Sequence, residues 1–405
     1  MTSPTTRSAP SGLLIANLLA QLAFGLLAMT ICLPSMQEWG AIFGTGQAAV
    51  QLTFSGYVVA YGSLQLLYGP LSDRIGRKKI LLFGLAVAFL GSVLAALAPN
   101  LPLLVAARVL QGAGAAAGMV VGRAMVQDLF QGPERTRVMA YVGMAMGLCP
   151  PLATIIGGQL HVRLGWQANF VVMAVLAVVL FVAAWRGLPD HQKATTVQPH
   201  WLRAMLSSYA RLGRERAFIL YVALLSMTTA TFYAFLGGAP IVLGSYGVKP
   251  DGIGYYIMCV PGAYIVGNFL ASHMAHRTGE RMMMDIGQGC TLGGIALMVA
   301  LALGGVNTPL AFSLPLMLVG IGHGLLVPPA FGGTIGLVPA LAGSAAAVAG
   351  LMQQMTGAVG GFAVGLFRHE GALNLGLLML GFALCGAFAQ WLLHRRPSKA
   401  GEVSR

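Results

Sequence analysis

The chain has 405 residues, 57% of them hydrophobic and only 9% charged, with a mean hydropathy of +0.77 and a formal net charge of +13. A soluble domain carries about a quarter charged residues, and this chain has too few to cover a water-soluble globule. Disordered, collagenous and coiled-coil chains are excluded too, since none is built of long apolar runs.

A membrane-spanning helix needs about 20 mainly apolar residues. Such runs recur at 13–36, 50–70, 79–98, 101–126, 137–160, 167–188, 218–246, 252–276, 282–304, 308–332, 341–367 and 373–394, which makes twelve spans. The first is long for a signal-peptide core and is followed by no clear cleavage site, so it reads as a retained span. Pro328, Pro329 and Pro339 blur the end of the tenth. Cys32, Cys149, Cys259, Cys290 and Cys385 lie inside apolar runs at unrelated spacings and form no metal pattern, so they read as free, small apolar residues. No metal site and no cofactor is expected.

With an even number of spans, successive loops alternate sides. Of the 24 Lys and Arg, 19 fall on the side of both termini, three (Arg163, Lys249, Arg368) on the other, and two, Arg108 and Arg123, inside the fourth span. This asymmetry predicts that both termini are cytoplasmic. It explains the positive charge by topology, so no nucleic-acid partner is needed. The loops on the opposite side are a few residues long and hold no domain. The one long connection, basic and containing a Trp201–Tyr209 stretch with amphipathic helical character, divides the chain. We expect an N-terminal bundle at 1–188, a linker at 189–217, a C-terminal bundle at 218–394 and a tail at 395–405.

The two halves echo each other. Span 2 leaves through Asp73-Arg74-Ile75-Gly76-Arg77-Lys78 and span 8 through His276-Arg277-Thr278-Gly279-Glu280-Arg281, an offset of 203 that also relates Tyr61 to Tyr264. Pro34 and Pro240 are rougher counterparts. The expected fold is all-α: twelve transmembrane helices in two pseudo-symmetric six-helix bundles, the architecture of a transporter that rocks two bundles about a central site.

The sharpest motif is Gly69-Pro70-Leu71-Ser72-Asp73-Arg74-Ile75-Gly76-Arg77-Lys78-Lys79. Gly69 allows a neighbouring helix to approach, Gly76 supplies the chain reversal, and the basic cluster stays inside. The segment resembles the signature loop of the major facilitator superfamily. That resemblance implies that Gly69, Asp73, Arg74, Gly76 and Arg77 latch the cytoplasmic ends of the bundles. Arg108-Val109-Leu110-Gln111-Gly112 in span 4 resembles the superfamily motif tied to proton coupling in antiporters. Gly143, Gly147, Pro150, Gly157 and Gly158 in span 5 resemble the drug:proton antiporter motif and, more narrowly, the Bcr/CflA-like subfamily. Leu33-Pro34, Asp128, Gly165-Trp166 and Leu188-Pro189 echo that subfamily as well. The resemblance places the protein in a bacterial inner membrane, as a monomer.

One departure is chemical. Where the subfamily carries an acidic residue in span 1, this chain has Thr30, and none of its eleven Asp and Glu lies near the middle of a span. A cation held deep in a membrane wants a buried carboxylate, so neutral or anionic substrates fit better, with Arg108 available as a partner. For the proton, His323 titrates in the right range if solvated, though a neutral histidine at a glycine-rich contact explains it equally. Asp128 is a second candidate, or a partner for Arg123 or Arg135. Thr30, Tyr57, Tyr61, Gln111, Thr231, Tyr233, Tyr264 and Gln353 are the candidate substrate-binding residues, in an uncharged aromatic-amide chamber. The function expected is proton-coupled export of amphipathic small molecules by alternating access. The alternatives are a dedicated exporter of an endogenous metabolite such as a siderophore and, behind it, an importer, uniporter or channel. No catalytic triad, metal cluster or nucleotide-binding loop marks the chain as an enzyme or ATPase.

Overall fold

The computed structural model describes residues 12–190, 201–338, 341–368 and 371–395. It is all helical among these residues. Helix α1 (Gly12–Thr30) breaks at a short 3-10 turn, Leu33–Ser35, before α2 (Met36–Phe43). The first half continues with α3 (Gln47–Ile75), α4 (Arg77–Ala96), α5 (Leu101–Leu129), α6 (Gly132–Leu164) and α7 (Gln167–Gly187). A linker helix, α8 (Trp201–Leu212), precedes α9 (Arg216–Ser245), α10 (Pro250–Ile257), α11 (Cys259–Leu303), α12 (Pro309–Gly336), α13 (Ala342–Val364) and α14 (Ala372–His394). Helix α11 joins two spans across Gly279, whose φ of +73° interrupts it. With α1–α2 and α10–α11 each read as continuous walls, twelve spans result.

Ten of these are long and apolar enough to cross a membrane by length and composition. The two that fall short, α3 and α13, lie against each other where the halves meet. Ser55 Oγ donates to the Ala358 carbonyl at 2.9 Å, Gln51 Nε2 to the Gly237 carbonyl at 2.9 Å, and Gln354 packs on Gly62. A helix facing a protein seam has no need of a fully aliphatic surface, so α3 and α13 carry Gln, Tyr, Ser and Gly instead.

The internal repeat is visible residue by residue. Gly76 and Gly279, 203 apart, both turn the chain with positive φ (+114° and +73°). Gly84 and Gly91 of α4 meet Gly114 and Gln111 of α5, while Gly287 and Gly294 of α11 meet Gly322 and Val319 of α12. Gly112 lies on the Tyr57 carbonyl and Gly320 on the Val260 carbonyl, the same juxtaposition in both halves. Even the caps match, with Asn100 Oδ1 accepting from Leu103 N and Thr308 Oγ1 from Ala311 N. Any side chain at Gly114 or Gly322 would strike backbone of the facing helix. We expect Gly114→Val and Gly322→Val to lower the thermal unfolding midpoint comparably, with a loss of about 1–3 kcal/mol each from overpacking. Thermal melts of both detergent-purified variants check this, and a wild-type midpoint in either breaks the equivalence.

The linker helix runs past the Trp201–Tyr209 stretch to Leu212. Its last residue, Leu212, is buried with Phe218, Val222, Ala345 and Ala349, so this end of α8 is docked on the second half.

Candidate functional site

The hydrogen bonds and close-packed glycines that join the two halves fall in the part of the molecule remote from the linker. Besides the α3–α13 contacts, Gly158 of α6 sits on the Pro250 carbonyl, Gly254 of α10 on Ile155, Gly147 on Ile265, and Gly244 of α9 on Gln37 of α2. One turn nearer the linker the packing stops. Gly143 shares a helix face with Gly147, and Gly350 with Gln354, yet a methyl group at either would meet nothing within 4 Å. The halves are therefore closed at the far end and splayed at the linker end.

Arg108 is the charge the sequence singles out, and its surroundings differ from the expected ones. It is 0% exposed and does not snorkel. Its guanidinium donates to the carbonyls of Ala28 (2.8 Å), Met29 (3.3 Å) and Thr53 (3.4 Å) and to Gln111 Oε1, and lies 4.3 Å from the Tyr57 ring centroid. Helix α1 ends at Thr30 and leaves its last carbonyls without intrahelical partners. Arg108 caps them at the negative end of the helix dipole. The Leu33-Pro34 break and Arg108 thus form one device. In this arrangement Arg108 is closed to a substrate, which corrects the expectation that it stands available as an anion's partner.

Three further candidates belong to the same packed region. Thr30 donates to the Leu26 carbonyl (2.8 Å), Tyr57 to the Gly25 carbonyl (2.7 Å), and Gln111 Nε2 to Ser92 Oγ (2.8 Å); all three residues are 0% exposed. Thr231 is equally sealed and bonds the Met227 carbonyl. Tyr61, Tyr233, Gln353 and Tyr264 are placed differently. Tyr61 stacks on Tyr57 at 5.9 Å, and its hydroxyl is buried without a hydrogen-bond partner among the described residues. Tyr233 donates to Gln354 Oε1 at 2.8 Å and meets Phe54 of the other half edge-on at 5.6 Å. Thr229 Oγ1 donates to Gln353 Oε1 at 3.3 Å, and Tyr264 is partly exposed, its carbonyl accepting from Asn268. Of these four, Tyr233 touches the other half directly, through Phe54.

His323 is 5% exposed in the glycine-lined contact of α12 with α11, and its Nε2 has no partner among the described residues. Asp128 pairs with Arg77 (3.3 Å), a partner not considered from sequence. Arg77 also bonds Asp73 and donates to Ser72 Oγ (2.7 Å), while Lys78 Nζ donates to the Leu188 carbonyl (2.9 Å). These signature-loop contacts all lie within the first half, alongside Gly69 on Val120 and Gly76 at the turn. Pro150 and Pro151 continue within α6 as a helix. Beyond them, Gly157 rests on the Ile31 carbonyl, so the span-5 motif packs α6 on α1 and, through Gly158, on the second half.

Sequence reasoning missed one cluster. His161, near the end of α6, places Nδ1 2.9 Å from Ser35 Oγ and Nε2 2.9 Å from Glu38 Oε2, and Asn169 Nδ2 donates to Ser35 Oγ at 3.1 Å. The partners are more than 120 residues apart, and nothing local signals their meeting. Ser35 is 0% exposed, so this Ser–His–Glu arrangement presents no nucleophile to a substrate. Among the described residues no group of three or more His, Cys, Asp or Glu is placed to hold a metal. Glu370 lies outside the described residues.

A family description, Major Facilitator Superfamily, matches residues 13–364. The chain is similar to multidrug resistance protein D of Escherichia coli (strain K12), with 27% identity over 96% of this chain and 98% of that one. It is similar to a chloramphenicol resistance protein of Pseudomonas aeruginosa, with 28% identity over 83% of this chain and 80% of that one. It is also similar to a bicyclomycin resistance protein homolog of Haemophilus influenzae, at 25% over 94% and 97%. Among solved structures, a peptide transporter in complex with alafosfalin superposes with a TM-score of 0.76 at 16% identity, covering 95% of both chains. A D-xylose-proton symporter gives 0.74 at 15%, over 95% of this chain and 98% of the other.

Proposed function

The chain belongs to the major facilitator superfamily, and from that premise we propose that it exports amphipathic small molecules in exchange for protons by alternating access. Members of this superfamily are multi-pass membrane transporters of small molecules and are generally not enzymes. The observation that carries export of foreign compounds is likeness to proteins named for resistance along nearly the whole of both chains. The placement of the span-5 motif supports it: Gly147 and Gly158 lie where the halves press together, and Gly143 where they part. We place the linker side in the cytoplasm of a bacterial inner membrane, on the charge asymmetry, and take the monomer as the working unit. The arrangement is then inward-open.

In this reading Tyr61, Tyr233, Tyr264 and Gln353 meet substrate. The signature loop braces the first half in the inward-open state, ready to latch the second when the cytoplasmic ends close. Asp128 works through Arg77 in that brace, and His323 carries the proton. Purified protein in liposomes with an imposed pH gradient, screened against phenicols, quinolones, cationic dyes and metallophores, tests the proposal. Proton release triggered by a neutral or anionic class supports it. Release triggered by cationic dyes alone overturns the substrate class, and gradient-independent flux overturns the coupling.

His323→Gln is expected to reduce pH-gradient-driven efflux at least about tenfold, while substrate–substrate exchange, which moves no net proton, persists. A wild-type pH profile in this variant removes His323 from the coupling path.

A further inference from the structure

The His161 cluster at the far end of α6 takes no part in substrate contact or in the signature-loop brace, and it is built to hold a proton. The His161 side chain is 8% exposed and is engaged at both ring nitrogens. Glu38, half exposed, is acceptor-only when ionised, so Nε2 carries a hydrogen and donates to it at 2.9 Å. Nδ1 lies 2.9 Å from Ser35 Oγ, which already accepts from Asn169 Nδ2. With neutral His161, the Ser35 hydroxyl donates to Nδ1. With a proton on Nδ1 that bond reverses, and Ser35 Oγ uses its two lone pairs to accept from His161 and Asn169 together. The cluster therefore gains a proton without losing a hydrogen bond, and Glu38 connects it to water.

Its place in the fold ties that proton to the closed far end. His161 follows Gly157 and Gly158 by one turn on the same face of α6. Gly157 bears on the Ile31 carbonyl, just before the turn into α2, and Gly158 on Pro250 and Asp251 of the second half. Helix α2 in turn sets Gln37, the neighbour of Glu38, against Gly244 of α9. The Glu38–His161 bond is a direct polar tie of α2 to α6, so what strengthens it also holds Gln37 against the second half.

The charges around His161 leave Glu38 as its counter-charge. Lys249 and Asp251, opposite in sign, stand at the start of α10 beside Gly158, and Arg163 follows on α6 itself. None of these three forms an ion pair among the described residues. Arg108 of α5 lies 5.8 Å from the Phe170 ring with its donors committed to carbonyls and Gln111. Cys32, before the turn, is a buried thiol, and α7 presents Asn169.

We infer that His161 is a proton-operated clasp: a proton taken from the outer water onto Nδ1 while the far end is open draws Glu38, and α2 with it, onto α6 and favours the closed far end. Imidazole ordinarily changes charge between pH 5 and 8. On the acid side of that change, imidazolium and carboxylate attract, and the far end stays shut. On the alkaline side the hydrogen bond alone remains, and the far end opens more readily. An inward proton gradient thus favours the return from outward-open to inward-open. The clasp's proton goes back to the outer side when the far end reopens, so it biases the cycle without crossing the membrane, and His323 keeps the carrier's role. The inference rests on the export reading in one respect, that the far end opens during a transport cycle.

Spin labels on Ile42→Cys of α2 and Val306→Cys in the turn before α12, both about half exposed, report the far end. The parent is a full-length, cysteine-free chain carrying His323→Gln, so that the central histidine does not contribute. Double electron–electron resonance in nanodiscs is expected to show the long-distance population rising about fivefold from pH 6 to pH 8. His161→Gln keeps a donor for Glu38 but cannot be charged, and it is expected to give one distribution at both pH values. Glu38→Gln keeps the acceptor without the charge and is expected to do the same. Because Glu38 is half exposed, its variant carries the test if His161→Gln does not accumulate. A parent whose distances ignore pH, or whose far end opens at acid pH, overturns the clasp. So does a pH response that survives either substitution, even with stability lost, since a merely structural bond gives that result. Gradient-driven efflux by wild-type protein in liposomes reports on the export reading separately, since its failure leaves the pH response of the far end untouched.

Discussion

Arg108→Ala is expected to deplete folded protein as well as silence it. The guanidinium holds three backbone carbonyls, Ala28, Met29 and Thr53, and the Gln111 amide oxygen, in a pocket with no solvent exposure. Removing it leaves those acceptors with no water to replace the donor, and each orphaned buried group costs about 1–3 kcal/mol. The penalties are not additive, but the sum amounts to several kcal/mol, a large part of a typical margin of stability of about 5–15 kcal/mol. Lysine at 108 keeps the charge but presents a compact ammonium to acceptors arranged around a planar fork, so Arg108→Lys is expected to fall between alanine and wild type. Thermal unfolding of the purified variants, alongside proteoliposome transport, measures both effects. A wild-type melting curve in Arg108→Ala with transport abolished would instead assign Arg108 to the coupling chemistry.

The sequence carries the fold more fully than the site, and Arg108 shows why. Spans and the repeat are written in properties that need no tertiary knowledge: apolar run length, and Gly76 and Gly279 at one offset. Which face of a span meets which neighbour is written far more weakly. In a membrane a helix is apolar all round, so periodicity does not distinguish a lipid face from a buried one. Arg108 was therefore read as a proton-coupling residue or a substrate's partner, although the broken end of α1 claims it. Arg123 or Arg135 was expected to pair with Asp128, and Arg77 reaches that carboxylate from another helix. His161 and Glu38 are joined by packing alone. The low apolarity of α3 and α13 was the one local trace of the seam, and it reads correctly once the requirement to face lipid is dropped.

Gly158→Leu is expected to stop transport while leaving a folded protein in the membrane, because Gly158 bears on the other half of the molecule. Its position is filled by the Pro250 carbonyl and Asp251 at the start of α10, so a leucine there cannot coexist with the closed far end. A clash of this kind with backbone is relieved cheaply only by separating the bundles, which is the motion alternating access already provides. The variant should therefore be biased toward the outward-open state, and a bias of a few kcal/mol is enough to move a balanced equilibrium about a hundredfold. Gly157→Leu makes the informative contrast. Gly157 presses on the Ile31 carbonyl within its own half, where no domain motion relieves the overlap, so that variant is expected to lose stability. In a cysteine-free background, Gln51→Cys, 0% exposed in the closed seam, reports the state through its reactivity with a membrane-impermeant maleimide added from the far side. Labelling that rises at least about tenfold with Gly158→Leu, with a thermal midpoint near that of the background, supports a conformational block. Unchanged labelling with transport lost shows that the span-5 motif acts by another route than closing the far end of the seam.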